Sequence, residues 1–141
     1  MSIPSCASVA LLGLLALGAC ATSEGEKSGD HGVSSVQFQD VVVPDGMALV
    51  DRFHESHSRE ESGWRFGHFE YVGQSRLEEA CSHLLLRMPQ HSWRLSADET
   101  PDEQTRRLRF ERGRYVANYT LQRIDGVTHM VIDYRTEVAS R

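Results

Sequence analysis

The chain is poor in features that would announce a chemistry. Its 141 residues hold three cysteines, Cys6, Cys20 and Cys81, with no Cys-x-x-Cys pair, so the spacing of a zinc ribbon is missing. Lysine occurs once, at Lys27, and arginine supplies the other basic side chains. Positive charge is in deficit, with a formal net charge of −5, which argues against general nucleic-acid binding. There is no glycine-rich phosphate loop and no internal repeat. No apolar run reaches the roughly 20 residues that a helix needs to cross a bilayer.

The apolar run that is present is shorter and lies near the start. Ser8 to Cys20 carries no charged side chain and is dominated by Leu11, Leu12, Leu14, Leu15 and Leu17. That length suits the hydrophobic region of a secretory signal. The residues Leu17-Gly18-Ala19-Cys20 resemble a bacterial lipobox. In precursors of that kind the cysteine sulfur receives a diacylglycerol, cleavage follows on its N-terminal side, and the new amine is often acylated with a fatty acid such as palmitate. The resemblance implies a signal peptide over 1–19, lipidation of Cys20 and attachment to a bacterial cell envelope. Ala21, where an aspartate would favour retention at the inner membrane, implies the outer membrane, facing the periplasm. One feature departs from the pattern: the first ten residues hold no Lys or Arg. An ordinary signal peptide cut elsewhere is the alternative.

On the lipobox reading Cys6 leaves with the signal and Cys20 is acylated, so Cys81 has no partner and the domain folds without a disulfide. One fatty chain binds a membrane marginally, whereas two or more hold firmly, at ~0.8 kcal/mol per buried CH₂.

Residues 20–35 are Ser, Gly and charge with little to bury, and read as a flexible tether after the lipidated cysteine. The remaining 36–138 suits one small domain. Its clearest element is a helix. Leu77, Ala80, Cys81, Leu84, Leu85 and Met88 recur at helical spacing on one face, Ser75 with Glu78 forms a capping box, and Pro89 ends the run. This places Cys81 and Trp93 in the core. Trp64, at a strand start beside Gly63, fits core or surface equally.

The rest alternates with period two. Phe69 and Tyr71 share one face of a strand, with Trp64, Phe66 and His68 on the other. Residues 105–135 read as three strands, joined by turns at Arg112-Gly113 and Asp125-Gly126. A short strand at 91–95, a first strand from 47–58, and an edge piece at Val41–Val43 complete the set. The expected fold class is α+β: an antiparallel sheet of about five to six strands, with one amphipathic helix packed on one face. The opposite face carries His68, Glu70, Arg107, Arg109, Asn118, Thr120 and Gln122. The stretches VPDGM, YVG before the helix, MP before a tryptophan strand, and LRFERG before a hairpin resemble a group of small bacterial lipoproteins of unknown function. That resemblance spans most of Val42 to Tyr134, implies an α+β envelope domain and transfers no catalytic residue.

Candidate chemistry is thin. His54-Glu55-Ser56-His57 lacks the H-E-x-x-H spacing, and positions three apart in a strand face opposite sides. No metal or cofactor site is expected, although a cross-strand cluster with His68 would follow if the first two strands pair. Gly73-Gln74-Ser75 lacks the last glycine of a nucleophile elbow. Glu60, Glu61, Asp98, Glu99, Asp102 and Glu103 sit in solvated sequence, unsuited to a raised carboxyl pKa. Arg107, Arg109, Arg112 and Arg114 are the candidate surface for an anionic partner. The expectation is a non-catalytic, membrane-anchored binding or scaffolding module, meeting an envelope protein or anionic envelope component. A small envelope hydrolase or ligand carrier is the alternative. It requires a pocket where His68 meets Glu70 or the neighbours of His129.

Overall fold

The computed structural model describes residues 33–34, 37–50 and 55–137. The signal segment 1–19, Cys20 and most of 20–35 lie outside the described residues, as do Val36, His54 and Val138.

Among the described residues, eight strands form one antiparallel sheet. They are β1 (Val33–Ser34), β2 (Met47–Leu49), β3 (His57–Glu61), β4 (Trp64–Gly73), β5 (Arg94–Asp102), β6 (Thr105–Arg112), β7 (Tyr115–Ile124) and β8 (Val127–Thr136). Across the sheet the order is β1-β3-β4-β8-β7-β6-β5, and β2 pairs with β4 beyond the end of β3. Helix α1 (Leu77–Arg87) and a 3-10 turn (Met88–His91) carry the chain from β4 to the far edge. Four strands then return by hairpins, and β8 closes against β4.

The α+β architecture matches the sequence pattern, but the strand count is eight rather than five to six. The additions are short: β1 has two residues and β2 three, too few to show a period. The segment expected to give one strand contributes both β2 and β3. The strand foreseen at 91–95 runs on to Asp102, through the acidic stretch. Val41–Val43 is not an edge strand. Its polar backbone bonds elsewhere: the Val41 amide donates to Phe38 O at 3.1 Å, and Val42 O accepts the Tyr119 hydroxyl at 3.0 Å.

Turn chemistry sets the register. Asp125-Gly126 and Ser62-Gly63 both hold two successive positive φ angles, 48° and 79°, and 50° and 79°. This is the geometry of a two-residue hairpin turn whose twist matches the strands. The helix cap lies one residue later than the sequence suggested. Ser75 Oγ donates to Asp45 O at 2.9 Å, and Glu79 receives the Arg76 amide at 3.2 Å. The loop partner outcompetes the helix for the serine hydroxyl.

One face of the sheet is covered by two pieces. Helix α1 brings Leu77, Ala80, Cys81 and Leu84 onto the sheet, and Met88 follows them into the core. Beside it lies a strap, residues 37–43. Phe38 sits edge-on to Phe69 at 6.0 Å and tilted against Tyr134 at 4.8 Å. Large side chains buried here contribute about 1.5–3 kcal/mol each. Gly67 makes room for the strap: a Cβ there would meet the Phe69 ring at 2.5 Å and the Phe38 ring at 3.0 Å. Trp93 is 2% exposed and closes the core, donating its indole N–H to Asp40 O at 2.8 Å.

Candidate interaction surface

The other face carries no helix. Register places its side chains in cross-strand rows, whose directly opposed members are close enough to interact. One row runs Arg59, Phe66, Arg135, Val116, Glu111 from β3 to β6. The next runs His57, His68, Asp133, Asn118, Arg109, and a third Glu70, Val131, Thr120, Arg107. Together they hold six of the seven side chains expected on that face; Gln122 lies in a fourth, between His129 and Thr105.

His68 is the centre of the second row. Its Nδ1 lies 2.7 Å from Asp133 Oδ1, and its Nε2 lies 3.4 Å from Glu70 Oε1. The His57 ring stacks beside it at 5.7 Å and 28°. Burial alone would lower the His68 pKa. The hydrogen bond to Asp133, with the charges of Asp133 and Glu70, outweighs burial and raises the pKa above 6.5. The arrangement therefore favours the imidazolium more than a free histidine does. Among the described residues, no group of three or more His, Cys, Asp or Glu side chains is placed to hold a metal ion. His54 lies outside the described residues, while the foreseen pairing of His57 with His68 is direct.

The four arginines grouped by sequence do not share one surface. Arg107 and Arg109 project from the helix-free face, on either side of Leu108. Arg107 is exposed and makes no ion pair among the described residues. Arg109 is held by Glu111 at 3.2 Å and Glu137 at 3.1 Å, within a chain of pairs running on to Arg135 and Arg94. Arg112 turns to the helix-side face, pairs with Asp40 and lies 4.8 Å over the Trp93 ring. Arg114 sits at the hairpin tip and donates to Gly63 O at 2.7 Å. Strand alternation separates Arg112 from the first two, and the turn re-aims Arg114.

Sequence reasoning missed two partners. Asp133 alternates with the buried Ile132 and Tyr134, so its outward position was legible, but the β4–β8 pairing that brings it to His68 was not. Asp40 gave no signal. It anchors the strap by accepting from Arg112 and from the Tyr134 hydroxyl at 3.2 Å, with Arg65 at 3.6 Å. Burial raises the Tyr134 hydroxyl to about 12, against the opposing contact with Arg65. Burial also raises the Cys81 thiol to about 11, consistent with a packing role.

Two cavities lie away from His68. One of about 520 Å³ is lined by Arg76, Glu78, Glu103, Arg123 and Asp125 at the helix start. The other, about 400 Å³, lies between the strap and Arg65, with Asp40, Glu60 and Arg112 in its wall. Asp98, expected in a solvated loop, sits in β5 and is held by Arg106 through two hydrogen bonds, at 2.5 and 2.6 Å, which lower its pKa. No helix among the described residues is long and apolar enough to cross a membrane. Compared with protein-family models, with curated proteins and with solved structures, the chain matches none.

Proposed function

We propose that this chain is a lipid-anchored protein of a bacterial cell envelope, held at the outer membrane through Cys20, whose domain binds another envelope component without catalysing a reaction. The observation that supports binding is the helix-free face. It presents cross-strand rows of mostly polar side chains, with Trp64 and Phe66 half exposed at one end. The His68–Asp133 pair, Asn118, Thr120 and the unpaired Arg107 offer donors and acceptors in fixed positions, suited to a polar partner. The lipobox residues Leu17-Gly18-Ala19-Cys20 support the anchor.

Two observations favour this reading over a hydrolase or ligand carrier. Neither cavity is lined by His68, Glu70 or His129. His68 also has a carboxylate at each ring nitrogen, so neither nitrogen is left facing an open space for a substrate hydroxyl.

The test is extraction of the protein from membranes, with intact-mass measurement and crosslinking to co-purifying components. The expected product begins at Cys20 and carries the diacylglyceryl mass, and Cys20→Ala leaves unprocessed precursor. A specific crosslinked partner, weakened by Arg107→Ala and Asp133→Asn, supports the binding face. A lipidated protein with no specific partner overturns the binding reading and leaves the anchor standing.

A further inference from the structure

We infer that the end of the sheet bearing Trp64 and Phe66 rests on the lipid surface itself. This rests on the anchor reading above and adds an orientation to it. Trp64 and Phe66 are 49% and 51% exposed, and stand two residues apart on the same face of β4. That spacing sets them about 7 Å apart along the strand. Aromatic rings with one polar edge and one apolar body favour the boundary between lipid and water.

The chain reaches the domain at this same end. β1 pairs antiparallel with β3, Val33 opposite Arg59 and Ser34 opposite Ser58. Its first residue therefore lies toward the Ser62-Gly63 turn, and Arg59 is itself opposite Phe66. Thirteen positions separate Cys20 from Val33, which allows a reach of at most about 45 Å. A lipid at Cys20 would approach from the Gly63 end and hold a weak contact at high effective concentration.

Charge agrees with that orientation. At the Gly63 end most arginines are matched by carboxylates, Arg59 with Glu61 at 2.6 Å and Arg135 with Glu137 at 2.7 Å, while Arg114 bonds the Gly63 carbonyl. The opposite end gathers Asp45, Glu78, Asp102, Glu103 and Asp125 around the helix start and the two far turns, outnumbering Arg76 and Arg123 there. An anionic surface repels the acidic end and leaves the aromatic end, whose charges are mostly paired, facing the lipid. The rows from His68 onward then point along the sheet away from the membrane, free for the envelope component.

The experiment uses the full lipidated chain in phosphatidylcholine vesicles, with and without brominated acyl chains, which quench tryptophan only at close range. Trp93 is buried and serves as the internal reference. The expected result is loss of Trp64's share of the emission in brominated vesicles, leaving the spectrum of Trp64→Phe; the variant itself shows no quenching. Intact mass on the same sample separates the two readings. If Cys20 carries lipid and Trp64 is not quenched, the orientation is overturned and the anchor stands. If Cys20 carries no lipid, both fall. If Trp64 ignores brominated lipid but shifts with soluble peptidoglycan fragments, the face belongs to a glycan and the lipid contact is overturned.

Discussion

His68 and Asp133 face each other across the β4–β8 pair, with Nδ1 and Oδ1 2.7 Å apart. The folded chain raises the His68 pKa above 6.5, because Asp133 and Glu70 together outweigh the cost of burial. A raised histidine value means the folded state binds the proton more tightly than the unfolded state. The stabilisation is therefore fully present below about pH 6.5 and is lost as pH rises through the folded value. Asp133 is about half exposed, so solvent screening keeps the effect below about 1 kcal/mol. Asp133→Asn is expected to lower the His68 pKa and to remove this pH-dependent part of the stability. Imidazole titration by NMR, and urea unfolding at pH 5.5 and pH 8, read both. An unchanged His68 titration in Asp133→Asn would refute the pairing.

Much of this fold was legible because period and turn chemistry are local. The apolar face of α1 is the buried face, and the alternation in β4, β6, β7 and β8 sorts inward from outward residues as read. What was not legible depends on pairing between distant strands. Nothing near Asp133 in the chain says that β4 will be its neighbour, since β8 returns to β4 only after three hairpins. Sequence position groups Arg112 with Arg107 and Arg109 as one charged surface; alternation along β6 already separates it, whereas its pairing with Asp40 depends on a distant part of the chain. Asp40 itself lies in a strap with no periodic pattern, and its partners come from β6 and β8.

Gly67 is where strap and sheet approach most closely. Gly67→Ala would place a methyl group 2.5 Å from the Phe69 ring and 3.0 Å from the Phe38 ring. Overpacking of this kind costs about 1–3 kcal/mol. The expected outcome is a lower urea midpoint with an unchanged slope. Phe38→Ala combined with Gly67→Ala should cost less than the two single changes added, because the first opens the space that the second needs.

Asp40 ties the strap to the sheet through Arg112, Arg65 and Tyr134. Asp40→Asn keeps the shape, but removes the counter-charge beside two half-buried guanidinium groups. Leaving charged donors poorly matched costs about 1–3 kcal/mol. The loss should appear in chemical denaturation and as faster amide exchange in residues 38–43, while residues of α1 keep their protection. Equal loss of protection in α1 would mean that strap and helix unfold as one unit, contrary to the two-piece cover described above.

β5 ends the sheet, and its outer side pairs with no other strand among the described residues. A bare nine-residue edge invites pairing with a second molecule. Several features blunt it. Register shifts fall between Leu95 and Ala97 and between Glu99 and Asp102, and Pro101 removes a donor inside the second. Asp98, Glu99 and Asp102 add like charge that repels another copy of the same edge. If these features keep the edge unpaired, then Glu99→Thr with Pro101→Val should remove one charge and the missing donor from the edge while leaving the core intact. The expected outcome is a concentration-dependent rise in mass by light scattering, relative to the parent chain, with unchanged near-ultraviolet circular dichroism. A variant that keeps the parent's mass at every concentration would show that Glu99 and Pro101 are not what closes the edge, leaving the first register shift with Asp98 and Asp102.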